Sequence, residues 1–174
     1  GASAFNQPIG DWNVSSVYDF SEMFSNATSF NQDIGDWNTS LGRNMAQLFL
    51  GATSFNQDIG DWDTSKVTNM NDIFKSCHSF DQDISRWDVS GVNLMRAIFT
   101  DAHSLSTFNR GLIHEAFSTN PNWQYDWRQY VVLNDSNFQS AVNLWFDNQG
   151  DANKTYGHIR DWNTSAVTNM FQAF

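Results

Sequence analysis

The sequence predicts an α/β solenoid: leucine-rich-repeat-like coils of 25 residues, each a short parallel strand plus a short helix, interrupted by a helical insertion. Three observations carry this prediction. Blocks opening on Phe5 (FNQPIGDWNVSS), Phe30 (FNQDIGDWNTS), Phe55 (FNQDIGDWDTSKV) and Phe80 (FDQDISRWDVSGV) start 25 residues apart, inside the roughly 20–29-residue range of leucine-rich-repeat coils. Each block joins a β-favouring stretch to a stretch with helical apolar spacing. The pattern breaks from Leu105 to Gly157 and resumes as HIRDWNTSAVTNMFQAF, with Trp162 three periods after Trp87.

Within a coil, the stretch Ile59–Ser65 predicts the strand. Trp62 and Thr64 favour extended backbone, and Gly60-Asp61 suits the turn into it. Val67, Met70, Ile73 and Phe74 then lie at i, i+3, i+6 and i+7, predicting a helix over 66–74 with Ser65 or Thr68 at its cap. Residues 75–79 turn back towards the next coil. In the second coil Leu41-Gly42 stands where the others carry Val, which predicts a distorted helix start.

One coil cannot bury its apolar face alone, so stacking must create the core. The core ladders are Phe5, Phe30, Phe55 and Phe80, and Trp12, Trp37, Trp62, Trp87 and Trp162. A polar ladder of Asn6, Asn31, Asn56 and Asp81 follows the Phe residues, placed to bond neighbouring backbone amides in the interior. Ser15, Ser40, Ser65, Ser90 and Ser165 form a second polar column.

The chain divides into a four-coil block over 1–104, a helical, aromatic-rich insertion or linker over 105–157, and the start of a next repeat block over 158–174. In the insertion, Phe108–Phe117 predicts an amphipathic helix stopped before Asn120-Pro121. A second helix is predicted over 136–147. Both are expected to cap one block and begin the next. Between them Trp123, Tyr125, Trp127 and Tyr130 form an aromatic cluster, the candidate platform for a glycan or a peptide. Gly1-Ala2 continues the register of Asn26-Ala27, and Phe174 that of Phe24. This predicts a stretch of a longer array, with seven coils as a larger period.

Composition narrows the function classes. A net charge of -10 and 9 basic residues in 174 disfavour nucleic acid and anionic membrane surfaces. No apolar run reaches the ~18 residues of a membrane helix. The lone Cys77 replaces a small core residue and rules out an internal disulfide. Asp11, Asp36 and Asp61 align in a column, as do Asp33, Asp58 and Asp83. Like charges this close invite calcium, whereas the alternative is that each carboxylate bonds a turn amide. Arg86 interrupts the first column. His78 and His103 lie one coil apart without a third metal ligand. Asn-x-Ser/Thr acceptor sites occur at Asn13, Asn26, Asn38, Asn134, Asn153 and Asn163. Thr39, Thr64 and Thr164 share a register that suggests contact with an ordered surface such as ice. Nucleophile-elbow, phosphate-loop, dinucleotide and zinc-helix motifs are missing from the sequence, so no enzyme activity and no cofactor are expected.

The string F-N-Q-D-I-x-x-W-(D/N)-(T/V)-S-x-V-x-x-M, over residues 1–104 and 158–174, resembles the BspA-like bacterial surface-protein repeats, surface-lipoprotein-type relatives of leucine-rich repeats. The resemblance implies a secreted or surface-attached protein built from tandem repeats, and it carries no catalytic residue. The expected function is a structural surface protein, a stalk, rod or filament subunit, whose partners are its own or neighbouring repeats. The alternative is an adhesin or a carbohydrate- or protein-binding solenoid that meets glycans or host and matrix proteins. An extracellular or cell-surface location follows from either.

Overall fold

The computed structural model describes residues 1–170, so the register expected between Phe174 and Phe24 lies outside the described residues. Its first part is a stack of four coils built from turns. The strand-plus-helix coil of the sequence prediction is not formed: no coil contains a helix, and the only β pairing in the stack is the isolated parallel bridges Asp19↔Asn44, Asn44↔Asn69 and Asn69↔Leu94. The α/β solenoid is therefore corrected to coils of successive turns.

The reason lies in the backbone of the segment read as helix. Asp72 and Ser76 have φ of 55° and 58°, and their counterparts Glu22 and Asn26, Gln47 and Gly51, and Ala97 and Asp101 are also left-handed. A left-handed residue every fourth position stops a right-handed helix. The chain instead makes back-to-back turns, closed by Ile73 N–H to Met70 O, Lys75 N–H to Asp72 O and Cys77 N–H to Phe74 O. The alternate N–H groups of Met70, Asp72, Phe74 and Ser76 donate to Leu94, Arg96, Ile98 and Thr100 of the next coil at 2.8–3.0 Å. Four peptide groups per coil thus point the same way along the stack. Apolar residues three and four apart fit this chain of turns as well as they fit a helix.

The expected strand fails for a different reason. Extended backbone from Trp62 to Thr64 lies between the turns Ile59–Trp62 and Thr64–Val67. It is too short for a ladder, and side chains make its links between coils. Trp62 Nε1 donates to Ile34 O at 3.1 Å, and Thr64 Oγ1 donates to Asp88 O at 3.0 Å. The second coil closes the same turn, Gly42 N–H to Thr39 O at 2.8 Å, so the distortion expected at Gly42 is not present.

After the coils, three helices stand among the described residues: α1 (Thr107–Phe117), α2 (Phe138–Asp147) and α3 (Gln149–Tyr156), with short 3-10 turns at Arg128–Tyr130 and Ile159–Asp161. The Ser106 side chain caps α1 by accepting from Asn109 N–H. Ile113 and Phe117 of α1 join the same apolar core as the coils. A second, smaller core of Leu133, Phe138, Ala141 and Val142 gathers Tyr156, Trp162 and Val167.

Candidate functional site

The side chains singled out by the repeat are placed first. Trp37, Trp62 and Trp87 stack at 6.4 and 6.3 Å with rings within 4° of parallel, and each Nε1 donates to an Ile carbonyl in the preceding coil. Trp12 is 53% exposed on the open face of the first coil. Trp162 is not in this ladder: it sits in the second core, with Nε1 on Gly157 O. The Phe5, Phe30, Phe55 and Phe80 rings stack at 5.9–6.3 Å. Phe24, Phe49 and Phe74 each lie 4.0 Å from the next ladder ring.

The polar ladder runs along the rim of the stack, half-buried to exposed, and not in its interior. Each Asn Oδ1 accepts a backbone N–H from the next coil: Asn31 on Asn6 at 2.9 Å, Asn56 on Asn31 at 2.9 Å and Asp81 on Asn56 at 2.8 Å. Gln32, Gln57 and Gln82 add their Nε2 to the same oxygens. Asp81 ends the series, where the next element is the start of α1. Its carboxylate accepts Ser106 N–H at 2.9 Å and Asn109 Nδ2 at 2.7 Å. Burial pushes the Asp81 carboxyl up, but these bonds and the nearby Arg110 charge together hold it below the usual carboxylate range.

The acidic columns sort by partner. Asp33, Asp58 and Asp83 each accept the N–H two residues on, at 2.9–3.0 Å, which makes Asx turns. Asp11, Asp36 and Asp61 are exposed, and Asp61 pairs with Arg86 at 2.6 Å. Among the described residues no three His, Cys, Asp or Glu side chains are placed to hold a metal ion. His78 and His103 stack at 5.4 Å on the surface. Thr39 and Thr64 are 1% exposed, with hydroxyls bonded to the next coil, so these two face inward and not towards an ordered outer surface, while Thr164 lies outside the stack.

The aromatic cluster lies at the far end of the stack and acts as its lid. Trp123, Tyr125 and Trp127 are half-buried and pack on Phe99 of the last coil at 6.4, 5.9 and 5.4 Å. Tyr125 Oη accepts the Phe99 N–H at 2.8 Å, replacing the carbonyl that a fifth coil would present there. Asn120, read in the sequence only as part of a helix stop, is buried and donates through Nδ2 to Val89 O and Val92 O. Tyr130 lies apart from the other three. Its carbonyl packs where a Cβ on Gly111 would be, and the Arg110 guanidinium sits 5.7 Å from both the Tyr130 and Trp127 rings.

His114 ties lid to helix. Its ring accepts Trp123 Nε1–H at Nδ1 (3.0 Å) and reaches Lys154 O through Nε2 (2.7 Å). These partners require the neutral ring with the proton on Nε2. Burial is the main cause of its lowered pKa. Beside it an open cleft of about 410 Å³ is lined by Trp123, Tyr125, Asp126, Arg128, Asn153 and Lys154. Arg128 is engaged there, by two bonds to Asp126 at 2.7 and 2.6 Å and one to Asn153 O. The side-chain hydrogen bonds from Arg128 keep the Asp126 carboxyl low.

Helix α3 has no counterpart in the sequence reading. Asn148 accepts Asp151 N–H at 3.2 Å and donates Nδ2 to its carboxylate at 2.7 Å, a reciprocal cap that an Asn-x-x-Asp spacing signals. The helix buries only Ala152 and Thr155, too few for an apolar stripe to mark it.

Stacked turn coils closed by an aromatic and helical lid define a tandem-repeat protein. The chain belongs to the family described as "Mycoplasma protein of unknown function, DUF285", whose model matches residues 1–112, 33–145 and 113–174. Neither the curated proteins nor the solved structures hold a match for it.

Proposed function

We propose that the chain is a structural segment of an extracellular surface protein, a unit of a rod, stalk or filament whose length comes from stacked repeats. One observation supports this most: the side chains the repeat keeps in register direct their polar atoms at neighbouring coils. Trp Nε1, Asn Oδ1 and Thr Oγ1 all bond across a coil boundary. The resemblance of the FNQDI-x-x-W string to BspA-like surface repeats adds a surface location. On this reading the chain is not an enzyme and takes no cofactor. Its partners are neighbouring repeats, in its own array or in copies of it.

An adhesin for a glycan or for a host or matrix protein is the second reading. The open cleft favours it, because exposed Asp126, Arg128 and Lys154 border half-exposed Trp123 and Tyr125 there.

The test is immunogold labelling of intact and opened cells with an antibody to this chain, followed by negative-stain electron microscopy of the labelled material. Label on the outside of intact cells, along extended particles, is expected. Label only after opening, or on isolated compact particles, would overturn the reading. A glycan-array screen of the chain separates the second reading from the first.

A further inference from the structure

Every boundary between coils uses the same polar code. The lower-numbered coil donates four N–H groups, two residues apart, and the higher-numbered coil accepts them on four carbonyls. At the first boundary Phe20, Glu22, Phe24 and Asn26 donate to Asn44, Ala46, Leu48 and Leu50 at 2.6–3.0 Å. At the second, Met45, Gln47, Phe49 and Gly51 donate to Asn69, Asn71, Ile73 and Lys75. In this row of bonds each coil therefore has a donor edge and an acceptor edge, although other N–H groups, such as those of Ser54 and Thr68, donate back to the preceding coil at Thr28 O and Arg43 O.

The acceptor edge of the first coil is open. The carbonyls of Asp19, Ser21 and Met23 correspond to those of Asn44, Ala46 and Leu48, yet no N–H of another described coil donates to them. Gly1 packs over the fourth, at Ser25 O. The same face carries a groove of about 230 Å³ lined by Phe5, Trp12, Met23, Phe24 and Ala27. Met23 is 41% exposed there, whereas its counterparts Leu48 and Ile73 are wholly buried. The difference is the covering coil, since the residues occupy the same place in the repeat. The opposite end of the stack is closed, because Phe99 N–H is bonded to Tyr125 and the lid covers the ring.

We propose that the open face of the first coil is a docking surface for one further coil of the same 25-residue repeat, which meets it by its donor edge. Three features select this occupant. Carbonyls two residues apart need N–H donors at the same spacing. The Trp12 indole N–H needs a carbonyl where Ile9 O stands for Trp37. The groove needs apolar side chains in the register of Phe24 and Phe30. A second copy of this chain cannot satisfy the face with its last coil, whose Phe99 N–H is taken by Tyr125 and whose Phe99 ring lies under the lid. The proposal deepens the array reading and takes only its biological setting from it.

The experiment lengthens the whole chain by placing a copy of residues 26–50 ahead of Gly1. Two controls carry a shuffled extension of the same composition, and the same copy with proline at the two positions derived from Gln47 and Phe49. The true extension is expected to raise Tm by roughly 5 °C or more and to reduce acrylamide quenching of Trp12 severalfold. Trp12 is read as the difference from the Trp12→Phe form of each chain. Both controls are expected to leave Tm and quenching where the unextended chain has them. Equal behaviour of true and shuffled extensions would overturn the proposal. So would light scattering that finds the unextended chain a dimer with Trp12 already protected. Cell labelling tests the surface reading separately, so either can fail without the other.

Discussion

At the scale of residues, the repeat records what each position touches in the next coil. Gly10, Gly35 and Gly60 are glycine because the Asp33, Asp58 and Asp83 carbonyls lie 2.9, 2.8 and 2.6 Å from where their Cβ would be. The fourth coil carries Ser85 at this position, and no fifth coil lies above it to collide with. Gly60→Ala should therefore cost about 1–3 kcal/mol, since the obstruction is backbone, while Ser85→Ala should stay within about 0.5 kcal/mol. Urea denaturation of the two variants measures both. The same logic explains Asp81, which replaces the ladder Asn where the neighbour becomes the start of α1 and a negative charge is favoured.

His114 sets a pH dependence. Burial lowers its pKa in the folded chain below the unfolded value near 6.5. Between the two values the unfolded chain binds more protons, so stability rises with pH in that window. The His114 contribution is complete above about pH 6.5. It is lost as pH falls towards the lowered folded value and is constant below it. The other histidines, His78, His103 and His158, are exposed. Thermal melts between pH 7.5 and 5 should show a decline that His114→Gln flattens, because Gln offers the same donor and acceptor without a titrating ring. An equal decline in both proteins would remove His114 as the cause.

Among elements, the coils and the lid differ in how far their sequence reveals them. Helix α1 was legible because Leu112, Ile113, Ala116 and Phe117 recur at helical spacing, although it starts at Thr107, one residue before the Phe108 expected, and its Ser106 cap was not read. Helix α2 was legible too, although it starts at Phe138, two residues later than the Ser136 expected. The coil segments misled because a chain of turns with left-handed residues four apart places Val67, Met70, Ile73 and Phe74 inward just as a helix would. The left-handed sites carry Glu, Asn, Gln, Asp, Ser and Ala as well as Gly, so residue type does not mark them. The lid is decided by one hydroxyl as much as by its rings. Tyr125→Phe keeps the packing on Phe99 but leaves the Phe99 N–H without a partner under the lid. The loss should be about 1–3 kcal/mol. Hydrogen exchange at Phe99 should quicken in that variant, while exchange at Phe74, bonded to Ile98 O, should change far less.

Over the whole molecule, the sequence by itself determined the period, the register and the inward ladders of Phe and Trp, because a 25-residue repeat can bury its aromatic rings only against copies of itself. It also shows where the motif breaks and where its residues return. Three things were decided only by tertiary structure. Left-handed φ at two sites in every coil has no local residue signal, and in the first three coils the N–H groups at those sites are bonded to the next coil. The Trp123–Trp127 aromatics became a lid when they met the open N–H edge of the last coil, which their own composition does not disclose. Thr39 and Thr64 turned inward because the carbonyls of Asp63 and Asp88 lie within reach of their hydroxyls. In each case the deciding partner is about 25 residues or more away in sequence and a single hydrogen bond away in space, and local propensity carries no information about such a partner.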